Sequence, residues 1–256
     1  MGNFNNSISA SKFNLGTDIS IVLCNTSHTG NIGSVARAMK TMGLTNLILV
    51  DPVVMPDDHS RALACSAADV VDNAKILTTL DEALHDTTLS IAMTARKREF
   101  THNLSTPKQI IPEIFTHIKS DNKVAIVFGS EKNGLTIEQL EKCNQLVTIP
   151  GNQEYFSLNL AQAVQIMCYE IYSNYDSSLE HLVATTKPAT FADNQGILNH
   201  LNSILNSLNF YKNKNEERVK RRLQNIVNKA SLEREDVDLL RGILKFIENQ
   251  TQKISK

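Results

Sequence analysis

At 256 residues the chain is longer than one average domain and suits a single α/β domain with an extension. Its 41% hydrophobic content supports a sizeable core, which must be mostly aliphatic because aromatic residues make up 5% and tryptophan is absent. A net charge of −1 excludes a general electrostatic preference for nucleic acid, so any such preference has to come from local charge. Cys24, Cys65, Cys143 and Cys168 show no CxxC pair and no metal-ligand spacing. Three of them lie in apolar stretches, where a free thiol packs as a small hydrophobe. The expectation is a reducing, cytoplasmic location and no metal. Residues 1–18 are rich in Asn and Ser, hold no long apolar run and read as a disordered tail rather than a signal peptide or membrane span.

Ile19–Cys24 reads as a buried strand, followed by the polar loop Asn25–Asn31 and a helix with Ile32, Val35, Ala36 and Met39 on one face. Gly43 is a good stop for that helix, and Asn46–Val50 completes a βαβ unit. Pro52–Val71 reads as a loop with a short helix around Arg61–Ala68. Lys75–Thr78 reads as a short strand and Asp81–His85 as a helical turn. Leu89–Ala95 is a third strand, with Arg96-Lys97-Arg98 at its carboxyl end. Pro107–Lys119 carries Ile110, Ile111, Ile114, Phe115 and Ile118 at helical spacing, with Pro at its start.

Lys123–Phe128 is a fourth strand. It runs into Gly129-Ser130-Glu131-Lys132-Asn133-Gly134 and a short helix whose Thr136 and Gln139 are spaced as a capping box. Leu146–Ile149 is the fifth strand. A helix follows with Leu160, Ala161, Val164, Met167, Cys168 and Ile171 as its apolar stripe. Strands alternating with helices predict an α/β fold with a largely parallel sheet, whose ligands collect beyond the carboxyl ends of the strands. The loops there are Asn25–Asn31, Thr94–Arg98, Gly129–Gly134 and Pro150–Asn159.

Residues 176–194 read as a linker, and 195–256 as a helical extension of three helices. Between Lys212 and Lys229 lie seven basic residues (Lys212, Lys214, Arg218, Lys220, Arg221, Arg222, Lys229) against two acidic ones. That local excess suits either a solvated helix face or a nucleic-acid contact.

Taken singly, the loop motifs have ordinary explanations. Ser157 and Asn159 suit the cap of a helix. Gly30 and Asn31 precede a helix start that can receive an anion, and Arg37 projects well away from the apolar stripe. The Gly129–Gly134 loop is neither a Walker A loop nor the Rossmann Gly-x-Gly-x-x-Gly, so a nicotinamide enzyme has little support.

Together they say more. Asn31-x-Gly33-x-x-x-Arg37, then Phe128-Gly129-Ser130-Glu131-x-x-Gly134-Leu135, then Ile149-Pro150 with Ser157-Leu158-Asn159-Leu160-Ala161, resemble the three signature motifs of the SpoU family of RNA 2′-O-methyltransferases, within the SPOUT class. The resemblance covers most of Ile19–Ile171. His28–Gly33, Ala36–Leu44, Asn152–Leu160 and, near the C-terminus, Leu239–Leu244 are similar to the TrmJ type, which methylates the ribose of cytidine or uridine at position 32 of the tRNA anticodon loop. Ser130 stands where such relatives carry Arg, with Lys132 nearby. The same motifs leave room for another tRNA or rRNA nucleotide as target, or for a non-catalytic RNA-binding module.

The resemblance implies a knotted (trefoil) α/β domain acting as a homodimer, with the active site near the dimer interface. It implies S-adenosyl-L-methionine bound largely through backbone groups of Thr94, Ala95, Arg96, Gly129, Ile149, Phe156, Ser157 and Leu158. It also implies that Arg37 activates the ribose hydroxyl. A guanidinium is a poor base, so the expected role is to stabilise the developing alkoxide and orient the substrate phosphate. Asn31, Glu131, Ser157 and Asn159 are expected to position Arg37 and the ribose. Arg96, Lys97 and Arg98, with Lys212, Lys214, Arg218, Lys220, Arg221 and Arg222, are the expected phosphate contacts to tRNA.

Overall fold

Seven parallel strands carry the fold in a computed structural model that describes residues 14–95, 104–120, 122–152, 154–175, 187–212 and 214–254. Arg96, Lys97 and Arg98 lie outside the described residues, as does most of the expected tail. The part of that tail described here is ordered: Leu15–Asp18 forms one helical turn, α1, capped by Asn14.

The strands are β1 (Ile19–Cys24), β2 (Asn46–Val50), β3 (Lys75–Leu77), β4 (Thr87–Met93), β5 (Leu104–Ser105), β6 (Lys123–Phe128) and β7 (Gln145–Val147). Their order across the sheet is β3-β2-β1-β6-β4-β7-β5, and every neighbouring pair is parallel. A parallel sheet must be covered on both faces, and the central strands show it: every residue of β1 and β4 is buried. The strand period of two sends Ile19, Ile21 and Leu23 to one face and Val22 and Cys24 to the other.

The first face is covered by α2 (Thr29–Thr41), α6 (Pro107–Lys119) and α8 (Leu160–Ser173), through Ile32, Met39, Ile114, Val164 and Met167. Alongside α2 lie α3 (Asp58–Ala64), a 3₁₀ turn at Cys65–Ala67, and α4 (Ala68–Asp72). The second face carries α5 (Leu80–Leu84) and α7 (Ile137–Glu141), whose Leu84 and Leu140 pack on Val50 and Val127.

The extension consists of α9 (Phe191–Ser207), α10 (Glu216–Ala230) and α11 (Arg234–Ile254). The linker predicted to end at residue 194 ends earlier. Thr190 caps α9 in a capping box with Asp193, and Phe191 joins the core of the second sheet face. The extension also has a small core of its own, Ala189, Ile197, Ile204, Val237 and Leu244. Asp193, buried beneath it, receives Arg234 at 2.8 Å and lies 3.8 Å from Arg241. Asn228 donates to the carbonyls of Glu141 and Cys143, which ties α10 to the end of α7. Among the described residues no helix is long and apolar enough to cross a membrane, and no three His, Cys, Asp or Glu side chains cluster as metal ligands.

His117 on α6 is a pH-sensitive point of this scaffold. Burial lowers its pKa to about 4, and Thr88 Oγ1 lies 2.7 Å from Nδ1. The folded value is below the unfolded value of about 6.5, so the unfolded chain binds more protons between the two. Stability is therefore full above about pH 6.5 and falls as the pH drops towards 4, by on the order of 3 kcal/mol from this group. Denaturant unfolding at pH 7 and pH 4.5 checks this: a His117→Gln variant should lose much of the difference.

Candidate active site

The loops at the carboxyl ends of β1, β4, β6 and β7 converge with the start of α8. Gly129 and Gly134 bound the tight loop that follows β6. Gly134 has φ +68, and its N–H donates to Ser130 O at 2.8 Å. A side chain at Gly129 would drive its Cβ into the backbone of Gly134 and Leu135, so only glycine lets the loop close on itself.

That closed loop aims Glu131 at the β1–α2 connection. Its carboxylate accepts from Thr26 Oγ1 (2.8 Å), Ser27 N (3.0 Å), Ser27 Oγ (2.9 Å) and Asn31 Nδ2 (2.9 Å). Burial alone would raise the Glu131 pKa. Donation from Asn31, the loop backbone, Thr26 and Ser27 outweighs that and holds it at about 2. Asn31 Oδ1 in turn accepts from Asn159 Nδ2 at 3.1 Å, and Asn159 Oδ1 caps α8 by accepting from Ala161 N at 2.9 Å. One hydrogen-bonded chain thus joins Asn31, Glu131 and Asn159, one residue from each motif.

Beside this chain lies a cleft of about 170 Å³. Thr94, Ala95, Gly129, Ile149, Phe156, Ser157 and Leu158 line it, and so does Glu131. Its floor and walls also include Met93, Phe128, Leu135, Leu160 and Ala163, with Lys132 and Asn133 at the loop. The lining mixes apolar side chains with polar and charged ones, and its Phe156 and Leu158 stay partly exposed.

Several expectations are corrected. The first motif does not precede its helix: α2 begins at Thr29, so Gly30 and Asn31 occupy its first turn. Asn31 is therefore presented by helix geometry, not by a loop. Of the Ser157–Asn159 pair, only Asn159 is the cap, and Ser157 faces the cleft. The donors to the Glu131 carboxylate come from Thr26, Ser27 and Asn31, so Glu131 is linked to the first motif through Asn31. Arg37 is six residues beyond Asn31 on α2, about 9 Å along the axis and about 120° around it. It does not line the cleft; its Nη1 reaches Cys65 Sγ at 3.7 Å.

Thr26 and Ser27 were not singled out in the sequence, although a polar pair directly after a buried strand is the signal for them. Cys65 has no such signal, since it lies 28 residues from Arg37. Lys212 and Lys214, ahead of α10, and Arg218, Arg221 and Arg222 on it are exposed, whereas Lys220 pairs with Glu216 at 2.8 Å. Arg221 lies 3.7 Å from Glu141, and Lys214 Nζ sits 3.2 Å from the centre of the Phe210 ring.

Glu131 therefore acts as a hub that locks two loops together. Replacing it with Gln puts an amide NH₂ where donors converge, leaving at least one of them unpaired. The expected cost is about 1–3 kcal/mol of stability, checked by denaturant unfolding. The wild-type hub is ionised above pH 4.5 and is lost only as the pH falls from there towards 2, so the Glu131→Gln deficit should persist undiminished from pH 5 to 8.

A parallel α/β sheet with a glycine-bounded cleft at its carboxyl edge places the cleft where proteins of this architecture collect their ligands. Comparison with known proteins narrows this. Residues 18–169 match the SpoU rRNA Methylase family, and residues 192–256 match the C-terminal domain of the tRNA methyltransferase TrmJ. The chain is 41% identical over 239 residues to the tRNA (cytidine/uridine-2'-O-)-methyltransferase TrmJ of Photorhabdus laumondii subsp. laumondii, covering 92% of this chain and 99% of that one. Identity to the protein of the same name from Salmonella typhimurium is also 41% over 239 residues, covering 92% and 98%. The crystal structure of TrmJ from Z. mobilis ZM4 superposes with a TM-score of 0.79 at 31% identity, covering 90% of this chain and 98% of that one. The chain belongs to the SpoU methylase family and carries the carboxyl-terminal domain of its TrmJ group.

Proposed function

We propose that the chain is an S-adenosyl-L-methionine-dependent tRNA methyltransferase that modifies the ribose 2′-hydroxyl of cytidine or uridine at position 32 of the anticodon loop. The observation that carries this reading is the chain Glu131–Asn31–Asn159, which brings the three motifs to one cleft. Relatives named as tRNA (cytidine/uridine-2'-O-)-methyltransferases match along nearly their whole length, which supports the reaction and the nucleotides.

The residues fit the methyl donor. Apolar walls at Leu135, Leu158 and Leu160 suit an adenosine moiety, and Ser130 and Ser157 add polar groups to the lining. Glu131, ionised at neutral pH, lines the same cleft and favours a sulfonium cation. When bound, the donor supplies an electrophilic methyl group to an oxygen nucleophile.

The chain's own task is to make the ribose hydroxyl reactive. Arg37 stabilises the developing alkoxide with its planar fork, while orienting the adjacent phosphate, which can take up the hydroxyl proton. Asn31 and Asn159 hold the edge of the cleft in place through their mutual hydrogen bond. Arg37 does not line the cleft of its own chain, and this accords with a homodimer in which the site lies near the interface between copies.

The exposed cations of α10 are the proposed tRNA contact. Phosphate contacts weaken with salt by a slope of about 0.9 per contact for duplex and about 0.7 for single strands. An Arg218→Ala/Arg222→Ala variant should therefore bind tRNA with a log–log salt slope smaller by about 1.5 and an unchanged affinity for the donor. The reading itself is tested by incubating the protein with labelled S-adenosylmethionine and unmodified tRNA. Acid-precipitable label is expected; none, despite donor binding, would reject the activity.

A further inference from the structure

The side-chain contact that Arg37 makes comes from a turn in an unfavourable conformation. Cys65 follows α3 with φ +52 and ψ −124, a backbone conformation that side chains rarely adopt and that costs about 1–3 kcal/mol. Strain of that kind persists only where the surroundings fix it, and here they do. Gly33 lets α2 and α3 touch backbone to backbone, since a Cβ there would run into the Ser60 carbonyl. The end of α3 is thereby held one helical turn along from Gly33, beside Arg37.

The thiol is also oriented. Cys65 Sγ lies 3.6 Å from Ala62 O, so the S–H donates to that carbonyl and leaves the sulfur lone pairs to Arg37 Nη1 at 3.7 Å. One turn further along α2, Lys40 is taken up by the same segment, donating to Ser66 O at 2.9 Å and Asp69 Oδ1 at 2.6 Å. The turn from Cys65 to Asp69 thus receives both cations that leave this face of α2. A free arginine side chain carries about 2 kcal/mol of rotamer entropy, and a fixed acceptor narrows its range before substrate arrives.

We propose that Cys65 is a positioning residue for Arg37, presented by a strained turn that α2 and α3 hold in place. The inference rests on the proposed function for its catalytic consequence, and on the geometry alone for the contact. Cys65→Ala keeps the Cβ and therefore the backbone strain, and removes only the sulfur; Cys65→Ser restores an acceptor.

The test measures two things on full-length protein. One is kcat and KM for methylation of unmodified tRNA. The other is the order of the Arg37 side chain, from ¹⁵N relaxation of its guanidinium, assigned with Arg37→Lys. Cys65→Ala is expected to lower kcat about fivefold, the equivalent of one ordinary hydrogen bond, with KM and melting temperature unchanged and Arg37 more mobile. Cys65→Ser should recover most of both. Unchanged Arg37 order in Cys65→Ala overturns the proposal, and so does a loss of order without a change in kcat. Absence of methyl transfer in the wild type would reject the functional reading instead, and the relaxation measurement would still decide the contact.

Discussion

Arg37→Ala is expected to lower kcat for ribose methylation by about 10²–10³-fold, the loss typical of removing a group aimed at a developing oxyanion. Arg37 is exposed and does not line the cleft, so neither the melting temperature nor donor affinity should change. Arg37→Lys separates charge from shape. It keeps a cation but loses the planar fork, so turnover should stay at least tenfold below wild type if two oxygens, alkoxide and phosphate, are held at once. Wild-type turnover in the lysine variant would show that a point charge suffices. Single-turnover kinetics at saturating donor read the effect directly.

Gly129→Ala is expected to be the most damaging single-methyl change in the cleft. The added Cβ meets the backbone of Gly134 and Leu135 rather than a flexible side chain, so relief requires opening the loop itself. Opening it displaces Glu131 from Thr26, Ser27 and Asn31 and deforms the cleft wall in the same movement. The stability cost should reach at least about 3 kcal/mol, the upper end of overpacking, and donor binding should be lost in calorimetric titration. Gly134→Ala is the contrast. Nothing stands within 4 Å of its Cβ, so only the left-handed backbone at φ +68 is penalised, by about 1–2 kcal/mol. Equal losses in the two variants would mean that loop closure at Gly129 is not what shapes the cleft.

Much of this was legible because local rules and global fold agree. Pro107–Lys119 is a helix at both predicted ends: Thr106 and Gln109 cap it, and its apolar spacing faces the sheet. The capping box at Thr136 and Gln139 also forms as its spacing indicates. The β1–α2–β2 unit follows from strand and helix periods alone, apart from the start of α2, where His28 caps without a side-chain hydrogen bond and the boundary carries no signal. Strand β5 leaves no pattern in the sequence. Two residues, Leu104 and Ser105, are too short to show a period and are strands only because β7 lies beside them.

The site was legible as residues but not as relations. Periodicity cannot say that Glu131 meets a loop about a hundred residues earlier, nor that Arg37 meets Cys65 instead. Both are consequences of which helices touch, and Gly33 and Gly129 decide that by having no side chain. The extension shows the same limit. Its helical stripes mark α9, α10 and α11, yet the burial of Phe191 against the sheet is set by tertiary packing and lies in a stretch whose composition reads as linker.

The most direct measurement digests tRNA after reaction with the protein and S-adenosylmethionine and locates the added methyl group by mass spectrometry. The predicted result is one methyl group on the ribose of cytidine or uridine at position 32, formed about 10²–10³-fold more slowly when Arg37→Ala is used. A methyl group on a base, on a nucleotide outside the anticodon loop, or none at all despite donor binding, would contradict it.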